Sequence, residues 1–239
     1  MHSYPVAFAV SGYAGGVIHH PFEHLRQFRE ALDLQFLTKE DGVSSDADIK
    51  RVTGVSQLAS LHQKHGKQVA VVRAPTSRIE PADAIITDVA GLSLLIRFAD
   101  CQNFVLFAPK QRVVALVHAG WRGVVAGVIP ETCSVLQREW DIAPGDVWVG
   151  AGPSLCMPCS DFTDPFTEVP SLARYTSGRT VNLLAAAHDQ LIACGVPAQR
   201  IERMPQCTRC MPETYWTYRG GHREQVKNGY TNCFVATLR

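Results

Sequence analysis

Short apolar runs rich in β-branched residues alternate along the chain with polar or glycine-containing breaks. Runs of this length, bounded by turn residues, predict strands that are buried on both faces. The predicted strands are Val69–Val72, Ala84–Thr87, Leu92–Phe98, Phe104–Phe107, Val113–Val117, Val147–Gly150 and Phe234–Leu238. The hairpin-like spacing of the strands between residues 92 and 117 argues against an all-parallel sheet.

Two further segments have apolar residues at helical spacing. Val124–Trp140 contains Pro130, so this helix is expected to start late or to kink there. Asn182–Cys194 has a capping residue, Asn182, at its start, and Gly195 fits the position just after its end. Buried strands alternating with helices predict a layered α/β fold in which helices cover a mixed sheet. The polar segment 38–48 is expected to be an exposed loop.

The bulk composition limits the classes of partner. The chain has 239 residues, 46% of them hydrophobic, which is enough for one sizeable core, and a single domain over residues 1–239 is expected. A formal net charge of +1 gives no electrostatic footprint for nucleic acid or an anionic membrane, so a small molecule is the expected partner. No apolar run approaches the roughly 18 residues of a membrane span. The first residues lack a signal-peptide pattern, so a soluble, cytoplasmic protein is expected.

Reactive side chains follow two of the predicted strands. Asp100 and Cys101 come after one strand, and His118 closes another and leads into a turn with Gly120, Arg122 and Gly123. A cysteine or histidine at a strand end is, taken alone, more often a structural group. Their occurrence together beside a glycine-rich turn favours chemistry, and the Arg122 guanidinium suits phosphate or carboxylate.

A third metal ligand is expected from the segment that contains His62 and His65. These residues are three apart, so both are expected on one face if the segment is helical, and spacing does not choose between them. A His–Cys–His set with an open fourth position is typical of catalytic Zn²⁺, which lowers the pKa of a bound water towards neutrality.

Several motifs resemble those of the YfiH-like family, long labelled multicopper polyphenol oxidase or laccase-domain proteins. They are His65-Gly66 with Val69, Ala82-Asp83-Ala84 with Thr87, Ala99-Asp100-Cys101, His118-Ala119-Gly120-Trp121-Arg122-Gly123, Gly152-Pro153-Ser154, Cys207-Thr208 and Tyr218-Arg219, with a looser match at Gly15-Gly16-Val17 and Pro21-Phe22. The third and fourth of these motifs are the most specific, and the resemblance covers almost the whole chain.

The resemblance implies a single three-layer α/β/α domain and a metal site made of His65, Cys101 and His118. It also implies a zinc-dependent purine nucleoside phosphorylase for adenosine, inosine and methylthioadenosine that deaminates adenosine. The implied partners are the nucleoside and phosphate, and the chain is expected to be a monomer or a homodimer. Within this activity, Asp100 is a candidate proton shuttle and Arg122 a candidate phosphate ligand, beside Cys101 and His118.

The chain also departs from the family pattern at polar positions. His24-Leu25-Arg26 stands where the family has Ser-Leu-Asn, an Asn-Arg pair before the His-Gly element is not evident, Arg219-Gly220 replaces a tandem arginine, and Gly229-Tyr230 replaces Gly-Arg. Several of the family's residues at these positions are polar groups suited to hold nucleoside or phosphate, so the departures are expected to affect substrate binding more than metal binding.

Four further cysteines form two Cys-x-x-Cys pairs, Cys156 with Cys159 and Cys207 with Cys210. The 47 residues between the pairs far exceed the roughly 15–20 of a compact zinc ribbon. A second, tetrathiolate metal site, a redox pair and buried small side chains are three interpretations that the sequence leaves open.

Other functions compete with purine chemistry. A metal-free hydrolase with Cys101 as nucleophile and His118 as base, including an enzyme that edits peptidoglycan precursors, uses the same pair. A copper polyphenol oxidase is disfavoured because its copper sites need about ten histidines in paired motifs, whereas this chain has nine histidines and no His-x-His motif. Cu²⁺ is left as an alternative ion for the site in vitro. A non-enzymatic, metal-stabilised nucleoside-binding module is the fourth interpretation.

Overall fold

A computed structural model describes residues 16–239 and, for residues 78–80, the backbone alone. The N-terminal residues considered for a leader and Gly15 of the early glycine motif lie outside this range. The strands are β1 (Ile18–His19), β2 (Leu32–Leu37), β3 (Leu58–His62), β4 (Val69–Val71), β5 (Thr76–Pro81), β6 (Ala84–Thr87), β7 (Ser93–Phe98), β8 (Gln102–Ala108), β9 (Val113–Ala119), β10 (Trp148–Ala151), β11 (Thr176–Ser177), β12 (Thr180–Val181), β13 (Ile201–Arg203) and β14 (Asn232–Leu238).

The helices are α1 (Glu23–Arg26), α2 (Asp46–Thr53), α3 (Trp121–Ala126), α4 (Val128–Trp140), α5 (Pro165–Glu168), α6 (Leu183–Cys194) and α7 (Arg223–Lys227). Short 3-10 turns lie at Lys39–Asp41, Pro144–Asp146, Met157–Cys159, Pro170–Tyr175 and Ala198–Arg200. Within residues 16–239, no helix is long and apolar enough to cross a membrane.

The strands form two six-stranded mixed sheets and a small ribbon. The first sheet has the order β1-β2-β14-β7-β3-β5, and the second has the order β13-β10-β8-β9-β6-β4. Parallel pairs such as β3 with β7 lie beside antiparallel pairs such as β8 with β9. The predicted mixed α/β class is therefore confirmed. The strands are divided between two sheets, however, where one was expected.

The side chains are apolar on both faces of the strands, so each sheet needs a packing partner on each side, and two stacked sheets covered by helices provide it. Leu94 and Ile96 of the first sheet and Val105 and Leu116 of the second share one core between the sheets. The other face of the second sheet packs on α4 and α6, and the other face of the first sheet packs on α2. Two sheets thus lie between the helices, where the expected three-layer arrangement has one central sheet. The sequence pattern did not reveal this because it does not show which strands are neighbours.

The predicted strands and helices are confirmed, with small differences at their ends. The Asn182 side chain accepts the Ala185 amide at the start of α6, and Gly195 ends it in the left-handed conformation. The segment 124–140 breaks at Gly127 (φ +84), and Pro130 lies in the first turn of α4, where a proline is tolerated. The expectation of an exposed loop at 38–48 is wrong in part, since Val43 is buried and α2 begins at Asp46.

Candidate functional site

Three of the predicted site residues converge at one end of the two sheets. The ligand atoms of His65, Cys101 and His118 all lie within 4.8 Å of one another. Cys101 ends the turn between β7 and β8, directly before the first residue of β8, and His118 lies near the end of β9. The rings of His65 and His118 meet edge to face, with 4.8 Å between their centroids. Because His118 is buried and His65 is exposed, the group has an inner side and a side open to solvent.

The chain brings in His65 through a turn and not through a helix. His62 ends β3 and lies outside the group, and His65 follows in a turn with a φ of +60°. The expectation that His62 and His65 share a helical face is therefore wrong, because β3 has no helical continuation. A positive φ is uncommon for a residue with a side chain, and it aims His65 at Cys101 and His118.

Asp83, just before β6, is the group that holds this turn against His118. Its fully buried carboxylate lies 2.9 Å from His118 Nδ1 and accepts the amides of His65 (2.8 Å) and Gly66 (2.6 Å). Burial by itself raises the pKa of Asp83, but the hydrogen bonds from His118 and Gly66 hold the pKa below its ordinary value. An ionised Asp83 favours the proton on Nδ1 of His118 and leaves the Nε2 lone pair for a ligand.

Cys101 and His118 influence each other's protonation. Burial raises the pKa of the Cys101 thiol, but the charge and hydrogen bond of His118 outweigh it and lower the pKa to about 6. Burial likewise lowers the pKa of His118, while the Cys101 thiolate and Asp83 raise it to about 9. Without a metal, the pair therefore favours a thiolate beside an imidazolium.

Gly120 leaves the space in which these side chains meet. A Cβ at this position would lie 2.6 Å from Cδ2 of His65 and 3.0 Å from Sγ of Cys101. The glycine of the turn after β9 is thus required by close approach, and its own backbone is not in the left-handed region.

Asp100 faces away from solvent and is held by three donors. Its Oδ1 accepts the hydroxyls of Thr208 (2.7 Å) and Thr217 (2.6 Å), and its Oδ2 accepts the Arg219 amide (2.7 Å). The residue is 6% exposed and has a φ of +90°, which is strained for a side chain other than glycine. Asp100 therefore joins the Cys101 turn to residues 208–219.

Next to this connection lies a cavity of about 570 Å³ lined by Asp161, Arg209, Tyr218, Arg219, Gly221 and Arg223. Asp161 Oδ1 accepts Arg209 Nη1 at 3.0 Å and Arg219 Nη1 at 3.2 Å. Three guanidinium groups against one carboxylate leave the lining net positive, which suits an anion. The predicted phosphate ligand, Arg122, is exposed and stacks on the Trp121 ring at 4.1 Å, without an ion pair among the described residues.

The structure also brings the two Cys-x-x-Cys pairs together. The four Sγ atoms of Cys156, Cys159, Cys207 and Cys210 lie within 4.8 Å of one another, and all are free thiols. The 47 residues between the two pairs do not keep them apart in space. Strands β10 and β13 pair in parallel, so the loops that follow them are neighbours.

Five residues around the site have no role that the sequence alone predicted: Asp83, Thr208, Thr217, Arg209 and Arg223. Asp83 and Thr208 both lie in motifs of the family resemblance, and a buried acidic residue before a strand was a signal of a partner for histidine. Thr217, Arg209 and Arg223 had no such signal, because only the tertiary fold brings Thr217 to Asp100 and the two arginines to the neighbouring cavity.

The fold and the converging side chains define an α/β protein with a candidate metal centre at the ends of two mixed sheets. The chain belongs to the family described as multi-copper polyphenol oxidoreductase laccase, whose sequence profile matches residues 8–236. The resemblance to YfiH-like proteins is thereby confirmed.

Relatives in this family carry enzyme names. The chain is 31% identical over 164 residues to "Purine nucleoside phosphorylase YlmD" of Geobacillus stearothermophilus, covering 64% of this chain and 59% of that protein. It is 28% identical over 185 residues to "Adenosine deaminase RL5" of an unknown prokaryotic organism, covering 69% of this chain and 70% of that protein. The matched segment thus spans less than two thirds of the length of the YlmD relative.

The fold is shared more widely than the sequence. The crystal structure of YlmD from Geobacillus stearothermophilus superposes with a TM-score of 0.80 at 22% identity, covering 96% of this chain and 98% of that chain. This likeness shows a common fold along almost the whole chain.

Proposed function

We propose that the protein is a zinc-dependent enzyme that cleaves adenosine, inosine or methylthioadenosine with phosphate and also deaminates adenosine. The observation that carries the proposal is the open His65–Cys101–His118 group, joined through Asp100 to an arginine-lined cavity. The names of the YlmD and RL5 relatives supply the substrate class.

The donor set fits Zn²⁺. Two imidazole nitrogens and one thiolate are the ligands that zinc prefers, and a three-residue set leaves a position for water or substrate. Asp83 supplies the carboxylate partner that a metal-bound histidine usually has, and Gly120 leaves room where the ligands meet. Zn²⁺ held there would supply a Lewis acid and activate water near neutral pH. Cu²⁺ is expected to compete for the same donors in vitro.

The remaining residues position the substrate. In phosphorolysis a phosphate oxygen bonds to C1′ of the ribose as the bond to the purine nitrogen breaks, so a phosphate must lie beside the nucleoside. Arg209, Arg219 and Arg223 are the proposed phosphate ligands in the cavity, and exposed Arg122, two residues after Gly120, is a further candidate.

In deamination, water adds to C6 of the purine and ammonia leaves, so a proton must reach the departing amine. The sequence makes Asp100 a candidate for this proton shuttle, but its three accepted hydrogen bonds leave little freedom for that task. We assign it the role of a positioning residue that fixes the position of Cys101 relative to Arg219.

A single incubation tests the activity. Purified protein is incubated with adenosine and phosphate, and adenine, ribose 1-phosphate, inosine and hypoxanthine are measured by chromatography. We expect these products with wild type and with His62→Gln, which changes an exposed histidine outside the group, and a loss of at least tenfold with His65→Gln. Zinc-loaded protein that forms none of the products refutes the proposal, and nucleoside-dependent melting shifts without turnover would identify a binding module.

A metal-free Cys–His hydrolase, including one acting on peptidoglycan precursors, is the second candidate. It is favoured by one observation, the half-buried Cys101 beside the buried His118, whose pKa values of about 6 and about 9 give a thiolate at neutral pH. Activity that is lost with iodoacetamide and unaffected by chelators would support this candidate. Loss with chelators and recovery with Zn²⁺ would exclude it.

We further propose one domain over residues 1–239, a cytoplasmic location and a monomer or homodimer. Light scattering measures the mass in solution, and a single calorimetric unfolding transition is expected for one cooperative domain.

A further inference from the structure

We propose that Cys156, Cys159, Cys207 and Cys210 bind a structural Zn²⁺ that fastens the loop after β10 to the loop after β13. This site is separate from the His65–Cys101–His118 group and does not depend on the proposed function. The first argument is geometric. The separations Cys156 Sγ to Cys210 Sγ of 3.9 Å and Cys159 Sγ to Cys210 Sγ of 3.5 Å match the edge of a tetrahedron with Zn–S bonds of about 2.3 Å, roughly 3.8 Å.

The backbone is arranged to present the four thiols to one point. The 3-10 turn Met157–Cys159 places the first two on one side of their loop, and Ser154 bridges to Cys207 in parallel register. The Cys156 amide lies 3.3 Å from Cys207 Sγ, so that sulfur accepts an N–H before any metal is bound. Such an N–H contact orients the sulfur, as outer hydrogen bonds orient the ligands of metal sites.

Exposure argues against the interpretation of these thiols as core residues. Cys207 is buried, but Cys156 and Cys159 are half-buried and Cys210 is exposed. Four sulfurs that are close together at a surface gain little from apolar packing, whereas a closed tetrathiolate site is stable there. A disulfide would join only two of these thiols, whereas the structure brings all four free thiols together.

The position of the cluster gives the metal a structural task. Thr208, between the second pair of thiols, donates to Asp100, and Arg209 beside it lines the cavity and donates to the Cys159 carbonyl. Zn²⁺ in the cluster would therefore fix the segment that holds Asp100 and one wall of the cavity.

Zinc stoichiometry tests the proposal. Plasma mass spectrometry should find two zinc ions per chain in wild type and in the matched control Cys194→Ser. It should find one zinc ion per chain in Cys101→Ala and one in the double variant Cys156→Ser/Cys159→Ser. The double variant should also melt at a lower temperature than the control. One zinc in both wild type and the double variant, iron in place of zinc, or a Cys159–Cys210 disulfide in non-reduced peptides would overturn the proposal.

A measurement on wild type covers the case in which the double variant does not fold. Native, zinc-loaded protein is treated with iodoacetamide, and each cysteine peptide is quantified by mass spectrometry. Exposed Cys210 should be protected at least tenfold until a chelator is added, because zinc-bound thiolates react slowly. Rapid alkylation of Cys210 before chelation would contradict the site. Since Cys101 is scored separately, the result is independent of the first metal group.

Discussion

The Asp83 carboxylate lies 2.9 Å from Nδ1 of His118, and both side chains are buried. The same carboxylate accepts the amides of His65 and Gly66, so one residue orients two candidate metal ligands that are far apart in sequence. A carboxylate behind a histidine fixes the ring and increases the basicity of its other nitrogen.

Asp83→Asn should weaken zinc binding by about 10- to 100-fold, the usual effect of losing an outer partner of a ligand. The amide removes the negative charge and has only one acceptor oxygen for several donors. Zinc affinity is measured by competition with a chromophoric chelator, and Asp146→Asn, at the exposed Asp146–Lys110 ion pair, is the control. Unchanged affinity in folded Asp83→Asn protein would remove Asp83 from the site.

Gly120→Ala should release the metal from the His65–Cys101–His118 group without unfolding the protein. The added Cβ would lie 2.6 Å from His65, so the ring must move, while the backbone at Gly120 accepts alanine without a left-handed φ. Gly145→Ala is the matched control, because its Cβ meets only Gly195 O at 3.9 Å. Equal zinc content in the two variants would show that the close approach is unimportant.

Alkylation of Cys101 in metal-stripped protein should have a midpoint near pH 6. The pKa of the thiol is lowered to about 6, so the reactive thiolate predominates above that pH and is lost as the pH falls through it. The rate is followed by peptide mass spectrometry, and in urea the midpoint should return to about 8.5. His118→Gln should raise the native midpoint. A native midpoint equal to that in urea would contradict the Cys101–His118 coupling.

The sequence predicted the local elements better than their arrangement. The cap at Asn182 and the end at Gly195 are encoded within one helix, so the bounds of α6 were predictable. Whether Leu94 and Leu116 face the same core or separate ones depends on pairing between distant strands, and such pairing leaves no local pattern.

The same reasoning applies to the candidate site. Cys101 and His118 stand at strand ends beside a glycine-rich turn, and that local pattern predicted a pair of side chains that the structure brings together. Asp83 and Thr208 act through distant partners, His118 and Asp100, and their contacts exist only in the folded chain. The helical arrangement expected for His62 and His65 was wrong because a three-residue spacing does not distinguish a helix from a turn.

Arg223→Gln should raise the KM for phosphate about tenfold or more and change the KM for nucleoside little. Loss of one charge-assisted hydrogen bond costs about 1.5–3 kcal/mol, and about 1.4 kcal/mol corresponds to a factor of ten. The exposed Arg138, which pairs with Glu139 on α4, supplies the control Arg138→Gln. Initial rates at varied phosphate concentration give both constants. An unchanged KM for phosphate in Arg223→Gln would move the phosphate site out of this cavity.

Asp100→Ala should lower the free energy of unfolding by about 3 kcal/mol or more, because the buried hydroxyls of Thr208 and Thr217 lose their acceptor. Asp100→Asn keeps an acceptor oxygen and tolerates the positive φ, so its loss should be smaller. Denaturant unfolding measures both, with Asp146→Ala, which removes a surface ion pair with Lys110, as a control expected to cost about 0–1 kcal/mol. A positioning role also requires that Asp100→Asn retain the pH profile of deamination. If Asp100→Asn is as stable as wild type but loses one limb of that profile, Asp100 carries the proton instead.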